Sequence, residues 1–148
     1  MIPPVATVMQ TVAVSLMTEI APQIQPEYHQ KSFGMLAMLL LMGSEEWDRA
    51  AARRVEENAE LRRIFGEAAG CVADDALRAR LEEAAAGTDD SLLISQLDRG
   101  NDELRELLIA LHERVEELDT AEAKRVEAEI WSELRASTER RRISAAVF

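Results

Sequence analysis

The stretch "SEEWDRAAARRVEENAELRRIFGEAA", residues 44–69, holds a single glycine and no proline, and is rich in Ala, Glu and Arg, all strong helix formers. At about 100° per residue with Trp47 at the origin, Ala51, Arg54, Val55, Asn58, Leu61, Phe65 and Ala69 fall within about 80° of it. The spacing predicts an amphipathic helix whose inward stripe carries a guanidinium, Arg54, and an amide, Asn58, near its middle. Upstream, helical composition continues back to Pro26, a residue suited to the first turn. A single rod from about Pro26 to Ala69 is therefore expected, with Gly43-Ser44 as the place where it can kink and Ser44 able to cap the segment beginning "EEW".

Outward from this rod the chain continues to read as helix. Pro4 opens and Pro22 closes a first helix, about Pro4 to Ala21. Asp74 is a candidate N-cap for a helix from about Asp75 to Ala86, with Gly87 just past its end. The next helix is expected from about Asp90 to Leu118 with Gly100 inside it. Asp119-Thr120-Ala121-Glu122 resembles a capping box opening a last helix that reaches about Arg142. The expected fold is all-α, a bundle of five or six helices in one domain spanning residues 1–148.

Composition supports that class. Of 148 residues, 47% are hydrophobic, 30% charged and only 4% aromatic, which favours helix over sheet. The formal net charge of -11 repels nucleic acid and anionic membrane surfaces at long range, so no nucleic-acid role is expected. The basic cluster "ERRRIS", residues 139–144, reads as cations complementing a helix C-terminus. A lone Cys71 excludes an internal disulfide. The start "MIPP" has no charged signal-like region, and "GMLAMLLLMG", residues 34–43, is about half a bilayer span. A soluble, cytoplasmic protein without a membrane span is expected.

Charge is unevenly placed. All but two of the 28 acidic and all but one of the 17 basic residues lie beyond residue 44, while all 6 methionines lie before it. Residues 1–44 thus read as an apolar, Met-rich helical hairpin and 45–148 as charged amphipathic helices. On the first helix Val5, Val8, Met9, Val12, Leu16 and Ile20 share one face, and Thr7, Thr11, Ser15 and Thr18 the opposite one, a small polar stripe compatible with close approach of another helix. In "SFGMLAMLLLMG" apolar residues point all round, the pattern of an element covered on every side. Met9, Met35, Met38, Leu40 and Met42 are the candidate lining of either a protein interface or a cavity for a small apolar ligand, the alternative being a central hairpin wrapped by the three later helices.

The sequence writes Asn-x-Glu-Leu-Arg twice, at Asn58–Arg62 and Asn101–Arg105. With Leu97 at the origin, Asn101, Leu104, Leu108, Leu111 and Val115 lie within about 40°, so both asparagines face a core or interface, and each Glu and Arg lies towards the flank. Arg54, Asn58 and Asn101 are then either anchors for a bound carboxylate or phosphate, or a buried polar cluster in which the two amides bond each other or nearby backbone and fix helix register. A third reading is coincidence.

No catalytic motif emerges. Glu-x-x-His, the carboxylate-bundle metal signature, is absent: Pro26 precedes His29 and Ile109 precedes His112 by three residues. Acidic pairs such as Glu56-Glu57 and Glu116-Glu117 read as solvated faces, His112 as a boundary residue reaching solvent or a carboxylate, and Cys71 as an inert half-buried thiol. No cofactor is expected. The function expected is non-catalytic: a helical interaction protein, homodimer or accessory subunit of a larger assembly, with a small-molecule binding protein as the alternative.

Overall fold

The computed structural model describes residues 2–25 and 27–144. Among them are five α-helices and no strand: α1 (Val5–Ser15), α2 (Glu27–Ala68), α3 (Asp75–Ala86), α4 (Ile94–Glu116) and α5 (Ala121–Arg141). The chain is an all-α bundle. The expected helix start at Pro26 lies outside the described residues. Contacts divide the chain into two compact units, one running through Ala50 and including the described residues after α5, the other spanning Ala51–Arg141. The boundary on α2 thus falls several residues beyond the change in composition at residue 44.

In the first unit, α1 is shorter than expected. A π-helical turn, Leu16–Ile20, and a 3-10 turn, Ala21–Gln23, follow it. Pro22 has no N–H and its ring collides with the preceding turn, so the regular ladder cannot run through it. The turn widens ahead of it, with the Ala21 N–H reaching the Leu16 carbonyl. The Gln23 side chain then donates to the Glu19 carbonyl at 2.7 Å.

Helix α2 spans 42 residues without interruption at Gly43-Ser44. These small residues serve close approach instead. Ser44 Oγ accepts from Gln10 Nε2 at 2.9 Å and donates to the Ala6 carbonyl at 3.2 Å, so its hydroxyl is occupied by α1 and does not cap α2. A Cβ at Gly43 would stand 3.9 Å from Met9 Sδ. Ala13 and Ala37 are completely buried. The Thr/Ser stripe of α1 does not carry this contact: Thr7, Thr11 and Thr18 are exposed, and the last two bond back to their own helix at Thr7 and Val14. Beyond α5, Ser144 donates from its backbone N–H and its hydroxyl to the Glu45 carboxylate at 2.8 and 2.6 Å.

In the second unit, Leu61, Ile64 and Phe65 of α2, Leu77 and Leu81 of α3, Leu104 to Val115 along α4, and Val126 and Ile130 of α5 form one apolar core. Each such side chain stabilises the fold by about 1.5–3 kcal/mol when fully buried. Asp74 caps α3, accepting from the N–H groups of Ala76 and Leu77 at 2.9 and 3.1 Å. Helix α4 begins at Ile94, not near Asp90, because the preceding residues form a loop that places Asp89 against α2. Helix α5 is capped by Thr120, whose Oγ1 accepts from the Ala123 N–H at 3.1 Å. The cap therefore sits one position later than a box led by Asp119, and Glu122 does not occupy the reciprocal place.

The inward stripe of α2 is turned by about 50° from the one centred on Trp47. Trp47 is 64% exposed, while Arg53, Glu57, Asn58, Leu61, Ile64 and Ala68 are buried. The indole alone misplaced the origin, since an Ala- and Arg-rich face offers few other apolar markers.

Candidate functional site

The two asparagines meet. Asn58, on α2, is completely buried and Asn101, on α4, is 3% exposed. Asn101 Nδ2 donates to Asn58 Oδ1 at 2.8 Å. The pair is bonded further at both ends: Asn58 Nδ2 donates to Asp89 at 3.0 Å, and Asn101 Oδ1 accepts from Arg141 at 3.0 Å. Gly100 stands beside the pair, where an added Cβ would lie 3.9 Å from Asn58 Nδ2.

The fifth residue of each repeat completes the arrangement. Arg62 lies one turn beyond Asn58 and donates to the same Asp89 oxygen at 2.8 Å. Arg105 lies one turn beyond Asn101 and donates to Glu57 at 2.5 Å. Asparagine and arginine four residues apart share a helix face, and in both repeats the amide reaches inward while the longer arginine meets a carboxylate. The leucines between them, Leu61 and Leu104, join the core. The repeat is thus used twice in the same way.

Glu57 is the residue that sequence reading missed. Its neighbour Glu56 is exposed, but Glu57 is only 3% exposed. Its carboxylate accepts from Ser137 Oγ, from Arg141 Nε and Nη2 at 3.1 and 2.6 Å, and from Arg105. Burial pushes this carboxyl up, but the Ser137 hydroxyl and the Arg141 and Arg105 guanidiniums outweigh it and hold Glu57 below the usual carboxylate range. Asp89 behaves alike: burial raises it, and Arg62 and Asn58 bring it down further. Held ionised, both are strong acceptors and weak bases.

Glu133 on α5 behaves differently. It is 5% exposed and pairs with Arg140. Burial lifts its carboxyl above the usual range; Arg140 opposes this, and the neighbouring carboxylates Glu60 and Glu57 add to it. The "ERRRIS" cluster therefore has a role beyond the helix terminus, because Arg140 and Arg141 neutralise acids buried on α5 and α2. One connected network, Arg62–Asp89–Asn58–Asn101–Arg141–Glu57, ties together α2, the loop before α4, α4 and α5. A buried network with its members satisfied specifies one packing, whereas removing a partner leaves a costly orphan.

Of the three polar candidates, Asn58 and Asn101 are in direct contact, and Arg54 is bound by Asp98 of α4 at 2.5 Å. Beside the network a cleft of about 490 Å³ opens between α3, the following loop and α4, sharing Arg62 and Asp89 and edged by Arg80, Arg99, Glu83 and Glu103. Its lining of both charge signs differs from the Met-lined cavity considered for a small apolar ligand. Met35 is 67% exposed. Met9, Met38, Leu40 and Met42 are half-buried in the first unit. Leu36 and Leu39, absent from the candidate lining, are 50% and 56% exposed. Their position was not readable because the run is apolar on every face.

Comparison of the chain with protein-family models, curated proteins and solved structures gives no match.

Proposed function

We propose that the chain is a helical interaction protein that assembles through its first two helices, with a second copy as the partner. The carrying observation is the inverted distribution of size in the first unit. Small residues, Ala13, Ala37 and Ser44, are buried, while Val8, Val12, Met17, Met35, Leu36 and Leu39 are each more than 40% exposed. A face of large aliphatic and Met side chains is a surface for another protein, and Met adapts to an imperfectly matched partner. Charge favours self-association by this route: Glu19, Glu27 and Lys31 are the charged residues before position 45, so two copies meeting through this segment bring little like charge of its own together. On this reading the protein acts as a non-catalytic cytoplasmic subunit.

The direct test is Leu36→Glu with Leu39→Glu. The double variant is expected to retain wild-type circular dichroism and to sediment as a monomer at concentrations where the wild type is a dimer. Loss of helix at all concentrations would identify these positions as part of a core.

A second reading rests on one observation. The segment Val5–Gln23 is 19 residues long with a mean hydropathy of 1.3, long and apolar enough to cross a membrane by length and composition. Flotation with neutral phosphatidylcholine vesicles separates the two: co-flotation of the wild type supports the lipid reading, and a dimer that stays with the soluble fraction supports self-association.

A further inference from the structure

About three turns along α4 from Asn101, His112 and Glu116 stand one turn apart, and Glu127 approaches from α5. Their three donor atoms all lie within 4.8 Å of one another. His112 Nε2 is buried and has no hydrogen-bond partner, and it stands 3.5 Å from Glu116 Oε1. The imidazole is held edge-to-face against Trp131, with ring centroids 5.3 Å apart and planes at 84°. Some nearby acids have cationic partners: Glu117 has Arg114, Asp119 has Lys124, Glu129 has Arg63 and Arg125, and Glu133 has Arg140. Among the described residues, Glu116 and Glu127 have no such lysine or arginine.

From this geometry we infer a divalent metal site of the zinc class, formed by His112 Nε2 and the carboxylates of Glu116 and Glu127. Two ligands each about 2.1 Å from one ion at a tetrahedral angle are about 3.4 Å apart, which the His112–Glu116 separation already matches. The widest separation among the three closes with a carboxylate movement of roughly an ångström, within the reach of a flexible glutamate. A neutral imidazole and two carboxylates balance a dication, and the nitrogen donor favours zinc, cobalt or nickel over magnesium or calcium. Trp131 restrains the ring while leaving Nε2 to the ion. Three protein ligands leave a fourth position for water or for a donor from another molecule. Bound metal fastens the C-terminal end of α4 to α5, beside the core contacts of Val115, Ala123 and Val126. Sequence inspection for Glu-x-x-His passes over this site because its helical pair is His-x-x-x-Glu and its third ligand depends on the α4–α5 register.

The test uses full-length protein stripped with a chelator. Zinc is expected to raise the thermal midpoint, and cobalt to give the intense visible absorption of a four-coordinate nitrogen–oxygen site while quenching Trp131 fluorescence. Glu127→Gln, a change at a half-buried side chain, should weaken zinc binding by tenfold or more with circular dichroism unchanged, and His112→Gln should abolish it. Magnesium should not substitute. No zinc-dependent rise in the wild type, or equal zinc affinity in the wild type and both variants, would overturn the assignment.

Discussion

Asn101 and Asn58 hold each other by a hydrogen bond of 2.8 Å, and the pair is closed by opposite charges, Asp89 accepting at one end and Arg141 donating at the other. An amide is suited to this position because it both donates and accepts. Either asparagine replaced by leucine strands the buried polar group that its partner presented to it, a loss of about 1–3 kcal/mol. The double Asn58→Leu, Asn101→Leu variant removes both, so its loss in urea denaturation should be smaller than the sum of the singles. Strictly additive losses would show that the two amides are energetically independent.

Glu57 and Glu133, both buried, should respond unequally to neutralisation, since the fold shifts their carboxyls in opposite directions. The folded state lowers the Glu57 pKa, so its contribution is present above its unfolded pKa and is lost as pH falls through the folded one. Glu57→Gln should therefore be strongly destabilising near neutral pH, and the gap to wild type should narrow as acid protonates the native carboxylate. Glu133 is raised in the fold, so its stabilising contribution is complete below its unfolded pKa and is lost as pH rises through the folded one. Glu133→Gln should cost less than Glu57→Gln at neutral pH. Urea midpoints measured from neutral pH down through the carboxylate range check both, and the reverse ranking at neutral pH would contradict the network as described.

Gly43 lies in the interior of an uninterrupted helix, and an added methyl would meet Met9 Sδ at an ordinary 3.9 Å. Gly43→Ala should stabilise by about 0.5–1 kcal/mol through reduced backbone freedom in the unfolded chain. Gly43→Leu should instead lower the thermal midpoint by pushing α1 away. A destabilised Gly43→Ala would indicate that α2 needs a flexible point here after all.

The legible part of this fold was periodic. The helical class, α3 with its Asp74 cap and Gly87 end, and the inward direction of both asparagines followed from spacing that a single helix records about itself. What could not be read depended on a second element. Glu57 looks like Glu56 in sequence and differs from it only because Ser137 and Arg141 of α5 come to meet it. The start of α4 was placed too early because Asp89 and Asp90 are both good N-cap residues, and only the position of Asn58 and Arg62 draws Asp89 out of the helix. The stripe on α2 was anchored on Trp47, whose exposed indole carries no core information. Gly43-Ser44 suggested a break, whereas α1 uses the same small residues for close packing.

Sedimentation equilibrium of the wild-type protein over a wide concentration range tests assembly through α1 and α2 most directly. The account predicts a mass that rises with concentration to twice that of the 148-residue chain, and a Leu36→Glu, Leu39→Glu variant of equal helicity that remains at the single-chain mass throughout. A wild type that stays at the single-chain mass at every concentration would contradict it.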